Sequence, residues 1–260
     1  GTAGALSGPG GAAYTLLDAA ASYGTIAAGA DGSSAGDPYA IGVDDPAVRP
    51  AAHWDPTLLE LLATGATKTW TVHVGRSFTD VPVEHWAYVA VEAIYHRGVT
   101  IGCGVAVYCP SNPLTRAEMA VLLLRAEHAP GWVPPAPTGA VFSDVPADYW
   151  AGGHIESLAA EGITLGCGAG KYCPESPVTR AEMAAFLIRA RHGAAWTPPA
   201  ATGTVFQDVP ASHWASAYIE ALAGEGITQG CGNGSYCPAS PVSRAEMAVF
   251  LTRAFDLTLP

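Results

Sequence analysis

Apolar residues recur at helical spacing in two stretches of each of three equal segments of the chain. In the second segment, the first stripe ends at Gly162 and comprises Trp150, Ile155, Leu158 and Ala159. The second stripe follows Thr179 and comprises Met183, Ala184, Phe186, Leu187 and Ala190. Between them, residues 164–178 are rich in glycine and proline and therefore predict a constrained loop. Each segment is thus predicted to be a helix-loop-helix unit.

The three units repeat at intervals of 64 residues without a gap. The positions that recur include Phe78, Phe142 and Phe206; Trp86, Trp150 and Trp214; Cys103, Cys167 and Cys231; and Arg116, Arg180 and Arg244. We place the repeats at residues 78–129, 142–193 and 206–257, after an N-terminal segment at residues 1–77. Because self-similarity at such a period indicates one supersecondary unit used three times, binding sites are expected in grooves between units.

The N-terminal segment carries weaker signals. Asp55 as N-cap, Pro56 at the first helical position and Gly65 as terminator predict a short helix. Alternation of apolar and polar residues over Thr69–Val74 predicts a β-strand. This segment is interpreted either as the end of an upstream domain in a larger precursor or as an assembly arm that pairs with a neighbouring subunit by strand addition.

Composition and charge restrict the class of protein. The 260 residues are 49% hydrophobic and 13% charged, as in a globular chain with a sizeable core. A net charge of −11 argues against non-specific binding to nucleic acid or to an anionic membrane. No run of 18 apolar residues is present, so membrane insertion is not expected. The start at Gly1 suggests that a signal was removed or that the chain is a fragment.

All six cysteines lie in the repeats, two to each copy at the same spacing. The pairs are Cys103 and Cys109, Cys167 and Cys173, and Cys231 and Cys237. Even number and identical spacing predict three local disulfides and an oxidising compartment. Structural zinc is the alternative, but it usually takes four Cys or His ligands, and no histidine recurs beside these pairs.

The Thr/Ser-Arg-Ala-Glu element separates into structural and unexplained positions. Thr179 and Glu182 have the spacing of a reciprocal capping box, and both other copies repeat it. Arg180 between them places a cation in the first helical turn, against the helix macrodipole. Two explanations remain open for this arginine and its equivalents: a salt bridge to the repeated aspartates, exemplified by Asp144, or a planar donor fork for a ligand carboxylate.

The ordered set of motifs resembles the S-layer homology domain. Each copy contains Phe-x-Asp-Val-Pro, Trp-Ala, Gly-Val/Ile-Thr, Gly-Cys-Gly, Tyr-Cys-Pro and Thr/Ser-Arg-Ala-Glu-Met-Ala, in that order, between about Phe78 and Phe255. The resemblance implies a mainly α fold, with three tandem helix-loop-helix repeats in a pseudo-threefold arrangement and a small N-terminal segment containing a short helix and a β-strand. The cysteine pairs are an addition to the commonest family pattern, which makes this chain a disulfide-containing variant.

The resemblance also implies a function: a non-catalytic module that anchors a protein to the cell surface. In such families the inter-repeat grooves bind secondary cell wall polysaccharide, often through pyruvylated sugar ends. Carried over by position, the ligand-binding residues are Arg116, Arg180 and Arg244, with Asp80, Asp144, Asp208, Trp86, Trp150 and Trp214 as weaker candidates. Each tryptophan could instead be a core anchor. We expect an extracellular location at the cell surface or cell wall.

Three classes of function remain open: an anchor, an assembly protein and an enzyme. The alternative to an anchor is a structural extracellular protein that forms homo-oligomers, self-assembling into an S-layer array or filament through residues 1–77. An enzyme is disfavoured, because the sequence has no serine-histidine-acid order, metal-ligand cluster or phosphate-cradling glycine loop. Neither a metal site nor a cofactor is therefore expected.

Overall fold

The computed structural model describes residues 1–8, 13–25, 36–43, 56–72, 76–128 and 130–258. The chain divides into two compact units, residues 1–77 and Phe78–Leu259. Asp55, the predicted N-cap, and Val74, the predicted end of the N-terminal strand, lie outside the described residues.

The described residues of the N-terminal unit form two antiparallel sheets. Strands β1 (Thr2–Ser7), β4 (Thr57–Leu61) and β5 (Thr67–Thr71) form one sheet in the order β1-β4-β5, and β2 (Tyr14–Asp18) pairs with β3 (Ala40–Val43) in the other. The side chain of buried Glu60 in β4 accepts two hydrogen bonds, from Trp70 Nε1 in β5 at 2.6 Å and from Tyr39 Oη at 2.7 Å.

The predicted helix between Pro56 and Gly65 is wrong, because these residues form a β-hairpin. Along β4, burial alternates strictly, with Leu58 and Glu60 inward and their neighbours exposed, which is the period of a strand. Gly65 has φ +83°, which suits the turn that leads into β5. The strand predicted at residues 69–74 overlaps β5 at 67–71, and its partner is β4, with Leu58 opposite Trp70.

The described residues of the second unit, which holds all three copies of the repeat, form six helices, two from each copy. They are α1 (Tyr88–His96), α2 (Arg116–Glu127), α3 (Gly152–Ala160), α4 (Arg180–His192), α5 (Ser216–Gly224) and α6 (Arg244–Ala254). The predicted capping boxes are confirmed at Thr115, Thr179 and Ser243, each of which accepts from the backbone N–H of the glutamate three residues later. The tryptophan of each copy precedes its first helix.

The prediction of a mainly α chain is wrong. Of the described residues, 28% are in helices and 17% in extended structure, and the strands form two antiparallel sheets. All five named strands lie in the N-terminal unit. There, pairing between strands determines the conformation, and the helix-end signals at Pro56 and Gly65 do not. Short bridges such as Thr115 with Pro177 add extended structure between the repeats.

Contacts between the copies run in a closed cycle. The second helix of each copy packs against the first helix of the next, which pairs α2 with α3, α4 with α5, and α6 with α1. Backbone hydrogen bonds repeat the cycle: Leu114 N–H donates to Val242 O, Val178 N–H to Leu114 O, and Val242 N–H to Val178 O, at 2.8–2.9 Å. The hydrophobic core is continuous through all three copies.

The loop between the helices of each copy is closed by a disulfide, as predicted. The bonds are Cys103–Cys109, Cys167–Cys173 and Cys231–Cys237. In the second copy, a Cβ at Gly166 would lie 2.3 Å from Lys171 O, so only glycine fits this approach of the two sides of the loop. Among the described residues, no helix has both the length and the apolar character that crossing a bilayer requires.

Candidate functional site: grooves between the repeats

Each recurring arginine is buried and bonded to the next copy in the cycle. Arg116 is 2% exposed; its Nε donates to Tyr172 O and its Nη1 to Glu182 Oε1, both at 2.8 Å. The guanidinium lies 4.9 Å from the ring centre of Tyr172 and 5.3 Å from that of Phe186. The same ion pair joins Arg180 to Glu246 at 2.6 Å and Arg244 to Glu118 at 2.9 Å.

These pairs correct one of the two explanations left open for the arginines. A salt bridge to the repeated aspartates is wrong, because the partner is the capping-box glutamate of the following copy. Glu182 caps its own helix and also pairs with Arg116. Its Oε2 accepts from the backbone N–H of Thr179 at 2.9 Å, while its Oε1 accepts from Arg116. The carboxylate supplies the negative charge that an arginine in the first helical turn requires.

The repeated aspartates bind the backbone of the disulfide loops. The two oxygens of Asp144 accept from the N–H groups of Tyr172 and Cys173, both at 2.8 Å, and Asp80 and Asp208 do the same in their copies. Burial acts to raise the pKa of Asp144, but these backbone donors outweigh it and lower the pKa. The arrangement fixes the loop that borders each groove.

The recurring tryptophans lie on the surface, and each lines a cavity. Trp86, Trp150 and Trp214 are 65%, 62% and 61% exposed, so the alternative interpretation as core anchors is wrong. Aromatic residues of the core at this end of each repeat are instead phenylalanine and tyrosine, such as Phe142 against Tyr172 with ring centres 5.4 Å apart. An exposed indole beside a recess can contact a ligand.

Two grooves combine one arginine, one helix and one tryptophan from three different copies. The first groove is a cavity of about 280 Å³ lined by Arg116, Leu165, Glu182, Phe186, Arg189 and Trp214. The second groove, of about 360 Å³, has the equivalent residues Arg180, Gln229, Glu246, Phe250, Arg253 and Trp86. Two arginines and one glutamate give each groove lining a net positive charge, within a chain of net charge −11.

The first groove also contains a donor without an acceptor. Arg116 Nη2 is buried and has no hydrogen-bond partner among the described residues. Leaving a charged donor unpaired in a buried site is costly, so this atom can gain from an acceptor that enters the cavity.

A further cavity, of about 370 Å³, is lined by Arg125, Trp132, Tyr149, Trp150 and His154. Burial, and then the charge of Arg125, lower the pKa of His154 to about 4.

The sequence interpretation missed a second set of groove arginines. Arg125, Arg189 and Arg253 also recur at intervals of 64 residues, so the repeat itself could have identified them. Arg189 is held at the groove by Nη1 donating to Ile163 O at 3.3 Å and by Nη2 donating to Tyr218 Oη at 3.2 Å. These bonds orient a second cation toward the same cavity as Arg116.

Comparison with known proteins identifies the family of the repeats. The sequence model of the S-layer homology domain matches residues 77–120, 141–184 and 205–248, just over half of the chain. An S-layer protein of Bacillus licheniformis is 30% identical over 68% of this chain and 20% of its own length. A cellulosome-anchoring protein of Acetivibrio thermocellus is 27% identical over 56% of this chain and 33% of its own length.

A further relative is an amylopullulanase of Thermoanaerobacterium thermosulfurigenes, 28% identical over 68% of this chain but only 9% of its own length. This chain therefore spans a fifth or less of the S-layer protein and the amylopullulanase, and a third of the anchoring protein. The family, the surface-protein relatives and the three disulfides confirm the predicted extracellular location at the cell surface or cell wall. The chain belongs to the S-layer homology domain family, with three tandem copies of the domain.

Proposed function

We propose that residues 78–258 anchor the protein to the cell wall by holding an acidic secondary cell wall polysaccharide in the grooves between repeats. The observation that carries this proposal is the first groove, where the buried Nη2 of Arg116 lacks an acceptor beside an open cavity. A carboxylate on a sugar end, such as a pyruvyl ketal, would supply that acceptor. Arg189 adds a second cation to the same recess.

The exposed tryptophan would hold the sugar ring. Trp214 lines the first groove and Trp86 the second, and each indole presents an apolar face to the cavity rim. The positive lining within an acidic chain favours a specific terminus over general attraction to polyanions. We assign Asp80, Asp144 and Asp208 to positioning the bordering loops, since their oxygens accept backbone N–H groups.

The test is co-sedimentation of the chain with cell-wall sacculi, before and after chemical removal of the polymer. Trp86, Trp150 and Trp214 are exposed, so their joint replacement by alanine leaves the fold intact while removing the sugar platform. A second variant, Arg116→Lys with Arg180→Lys, retains the charge and removes the planar fork. Each variant should weaken polymer-dependent binding by about tenfold or more, the equivalent of one charge-assisted hydrogen bond.

The matched control is Arg97→Lys, an exposed arginine outside both grooves, which should bind like the parent chain. Competition with a pyruvylated sugar and with the same sugar lacking pyruvate tests the carboxylate directly. Undiminished binding by folded groove variants, or binding that survives removal of the polymer, would refute the proposal.

A second candidate function rests on the N-terminal unit. Among the described residues, β5 pairs only with β4, and all five of its residues are exposed. Such an edge can accept a strand from a neighbouring subunit, which would assemble the protein into an array or filament. Deleting residues 1–77 should then abolish ordered polymers seen by electron microscopy while wall binding remains. Polymers that persist after the deletion would exclude this role.

A further inference from the structure

Two helix ends bring three ligand-type side chains together where the first repeat contacts the second. Glu127 is the last residue of α2, His128 is its C-cap, and Glu161 is the C-cap of α3. One ligand atom from each side chain lies within 4.8 Å of the others, and His128 Nε2 is 3.0 Å from Glu161 Oε1. The side chains of His128 and Glu161 are 29% and 31% exposed, so the cluster is open to solvent.

Glu127 has no counter-charge in this cluster. Its Oε2 atom is buried and has no hydrogen-bond partner among the described residues. Burial and then the nearby Glu161 raise the pKa of Glu127 to about 7. The C-terminal ends of α2 and α3 add partial negative charge at the same place. Two carboxylates and two helix ends therefore converge on a position that favours a cation.

The contact between the second and third repeats supplies that cation from the chain itself. Its equivalent residues, 64 positions later, are Arg191, His192 and Glu225. Arg191 Nε lies 3.0 Å from Glu225 Oε2, and His192 Nε2 lies 2.7 Å from Glu225 Oε1. A guanidinium thus occupies the position where the first contact has Glu127. Among these three positions the contacts differ only at this one, where the first has a carboxylate and the second a guanidinium.

The histidine of the cluster is held in a fixed orientation. The ring of His128 stacks on Trp132 with centres 4.1 Å apart and planes 15° apart, and His192 stacks on Trp196 in the same way at 4.3 Å. Stacking leaves Nε2 directed at Glu161. An oriented imidazole loses less freedom when it binds a ligand, which favours coordination.

We propose that Glu127, His128 and Glu161 bind a divalent transition-metal ion of the Zn²⁺ type, which joins the first and second repeats as Arg191 joins the second and third. One imidazole nitrogen with two carboxylate oxygens suits zinc and its neighbours, whereas calcium and magnesium prefer oxygen ligands throughout. Ligands about 2.0–2.2 Å from such an ion stand up to about 4 Å apart, so side-chain movements below about 1 Å close the site. Solvent completes the coordination.

This site was not expected from the sequence, where no metal was predicted. Two of its ligands, His128 and Glu161, lie 33 residues apart, and the third is not repeated, because Glu127 aligns with Arg191 and then with Phe255. The 64-residue repeat identifies residues that the copies share, whereas this cluster requires Glu127, at a position where the copies differ. Comparison of the copies in three dimensions makes the substitution visible.

The experiment is equilibrium dialysis of the intact chain against micromolar ZnCl₂, with bound metal measured by mass spectrometry and the fold checked by circular dichroism. The parent chain should bind one Zn²⁺. Glu127→Arg copies the second contact into the first; it should remain folded and lose Zn²⁺ affinity by about 100-fold or more, as expected when a ligand is replaced by a cation. Co²⁺ in place of Zn²⁺ should give visible absorption in the parent chain only.

The reciprocal variant is Arg191→Glu, which recreates the cluster at the second contact with His192 and Glu225. It should bind two Zn²⁺ per chain. Equal Zn²⁺ uptake by the parent chain and Glu127→Arg would place the metal elsewhere and overturn the proposal. A folded parent chain that binds no Zn²⁺ would overturn it as well.

Discussion

At the scale of single residues, each recurring arginine joins two repeats, and it is also the residue to which we assign ligand binding in the proposed function. Arg116 lies in the first turn of α2, where a cation opposes the helix macrodipole. It is stabilised by Glu182 and Tyr172 O, both supplied by the second repeat. Its remaining donor, Nη2, is buried and has no hydrogen-bond partner among the described residues, and Arg116 lines the first groove. The residue therefore joins two repeats through two of its donors and leaves a third donor unpaired.

Replacing Arg116 by methionine should lower the free energy of unfolding by about 3 kcal/mol, because Glu182 loses its charge partner and the backbone carbonyl of Tyr172 loses its donor. Urea unfolding followed by tryptophan fluorescence measures the change. Arg97→Met, on an exposed arginine, should change it by less than about 0.5 kcal/mol. Equal effects of the two substitutions would show that the buried ion pair does not hold the repeats together.

Glu127 gives a pH dependence with a definite sign. In the fold its pKa rises from 4.5 to about 7 through burial and Glu161, so between these values the unfolded chain releases a proton that the folded chain retains. The stability that protonated Glu127 gives the fold is therefore fully present below about pH 4.5 and is lost as the pH rises through 7. In EDTA, Glu127→Gln should therefore match the parent chain at pH 4 and be more stable by about 1 kcal/mol at pH 8, given a partly exposed side chain.

Melting temperatures measured from pH 4 to pH 8 test this prediction. Glu84→Gln is the control, because Glu84 is exposed and should give no pH-dependent difference. A Glu127→Gln variant that is less stable than the parent chain at pH 8 would mean that the carboxylate has a partner in solution.

At the scale of elements, the loop between the helices depends on a disulfide and an aspartate together. Cys167–Cys173 closes the loop covalently, and Asp144 accepts two of its backbone N–H groups. Cys173 has φ +59°, a conformation that non-glycine residues adopt at a cost, and the bond from its N–H to Asp144 offsets that cost. Rigid loops of this kind keep the groove border in place.

Replacing Cys167 and Cys173 together by serine should lower the free energy of unfolding by about 2 kcal/mol, because the unfolded chain regains the freedom of the short loop. Thermal unfolding under oxidising conditions measures it. The same double change at Cys231 and Cys237 is the matched comparison and should have an equal effect, since that loop repeats the geometry. Addition of a reductant should remove the difference from the parent chain; a difference that persists would point to lost packing instead.

Local signals in the sequence predicted part of the architecture. The capping boxes and disulfides were identified because their partners lie three and six residues apart. The partner of Arg116 could not be identified this way, since Glu182 is 66 residues distant and its capping role concealed its second bond. In the N-terminal unit, Pro56 and Gly65 imitate helix ends, but pairing of Leu58 with Trp70 across the hairpin determines a strand. Contacts between residues distant in the sequence therefore determine both the partner of Arg116 and the conformation of residues 56–65.

The tryptophans illustrate the same limit for the candidate site. An apolar residue just before an amphipathic helix is compatible with a core position or a surface position, and only the packing of the next copy distinguishes them. In the fold, Trp214 of the third copy reaches the groove that contains Arg116 of the first copy and Glu182 of the second. A groove built from three copies requires the closed arrangement, which no single repeat encodes.

At the scale of the whole molecule, closure distinguishes these repeats from an open solenoid. In a solenoid the terminal repeats have one neighbour, and removing one loses one interface. Here each copy contacts both others, through the cyclic packing of α2 on α3, α4 on α5 and α6 on α1. The bonds from Leu114 to Val242 and from Arg244 to Glu118 close the cycle between the third copy and the first.

Deleting residues 206–258 should therefore abolish cooperative folding of the two remaining repeats. The deletion removes Glu246 and Tyr236 O from Arg180, so a buried guanidinium loses its charge partner, and it uncovers the faces of α1 and α4 that pack on the third copy. Near-ultraviolet circular dichroism and thermal unfolding should show lost tertiary structure and no sharp transition. The control is deletion of residues 1–77, which contribute none of the described hydrogen bonds between repeats and whose loss should leave a single sharp transition. If the two-repeat chain unfolds as cooperatively as this control, closure of the cycle is dispensable, and each groove would then need only the copies that line it.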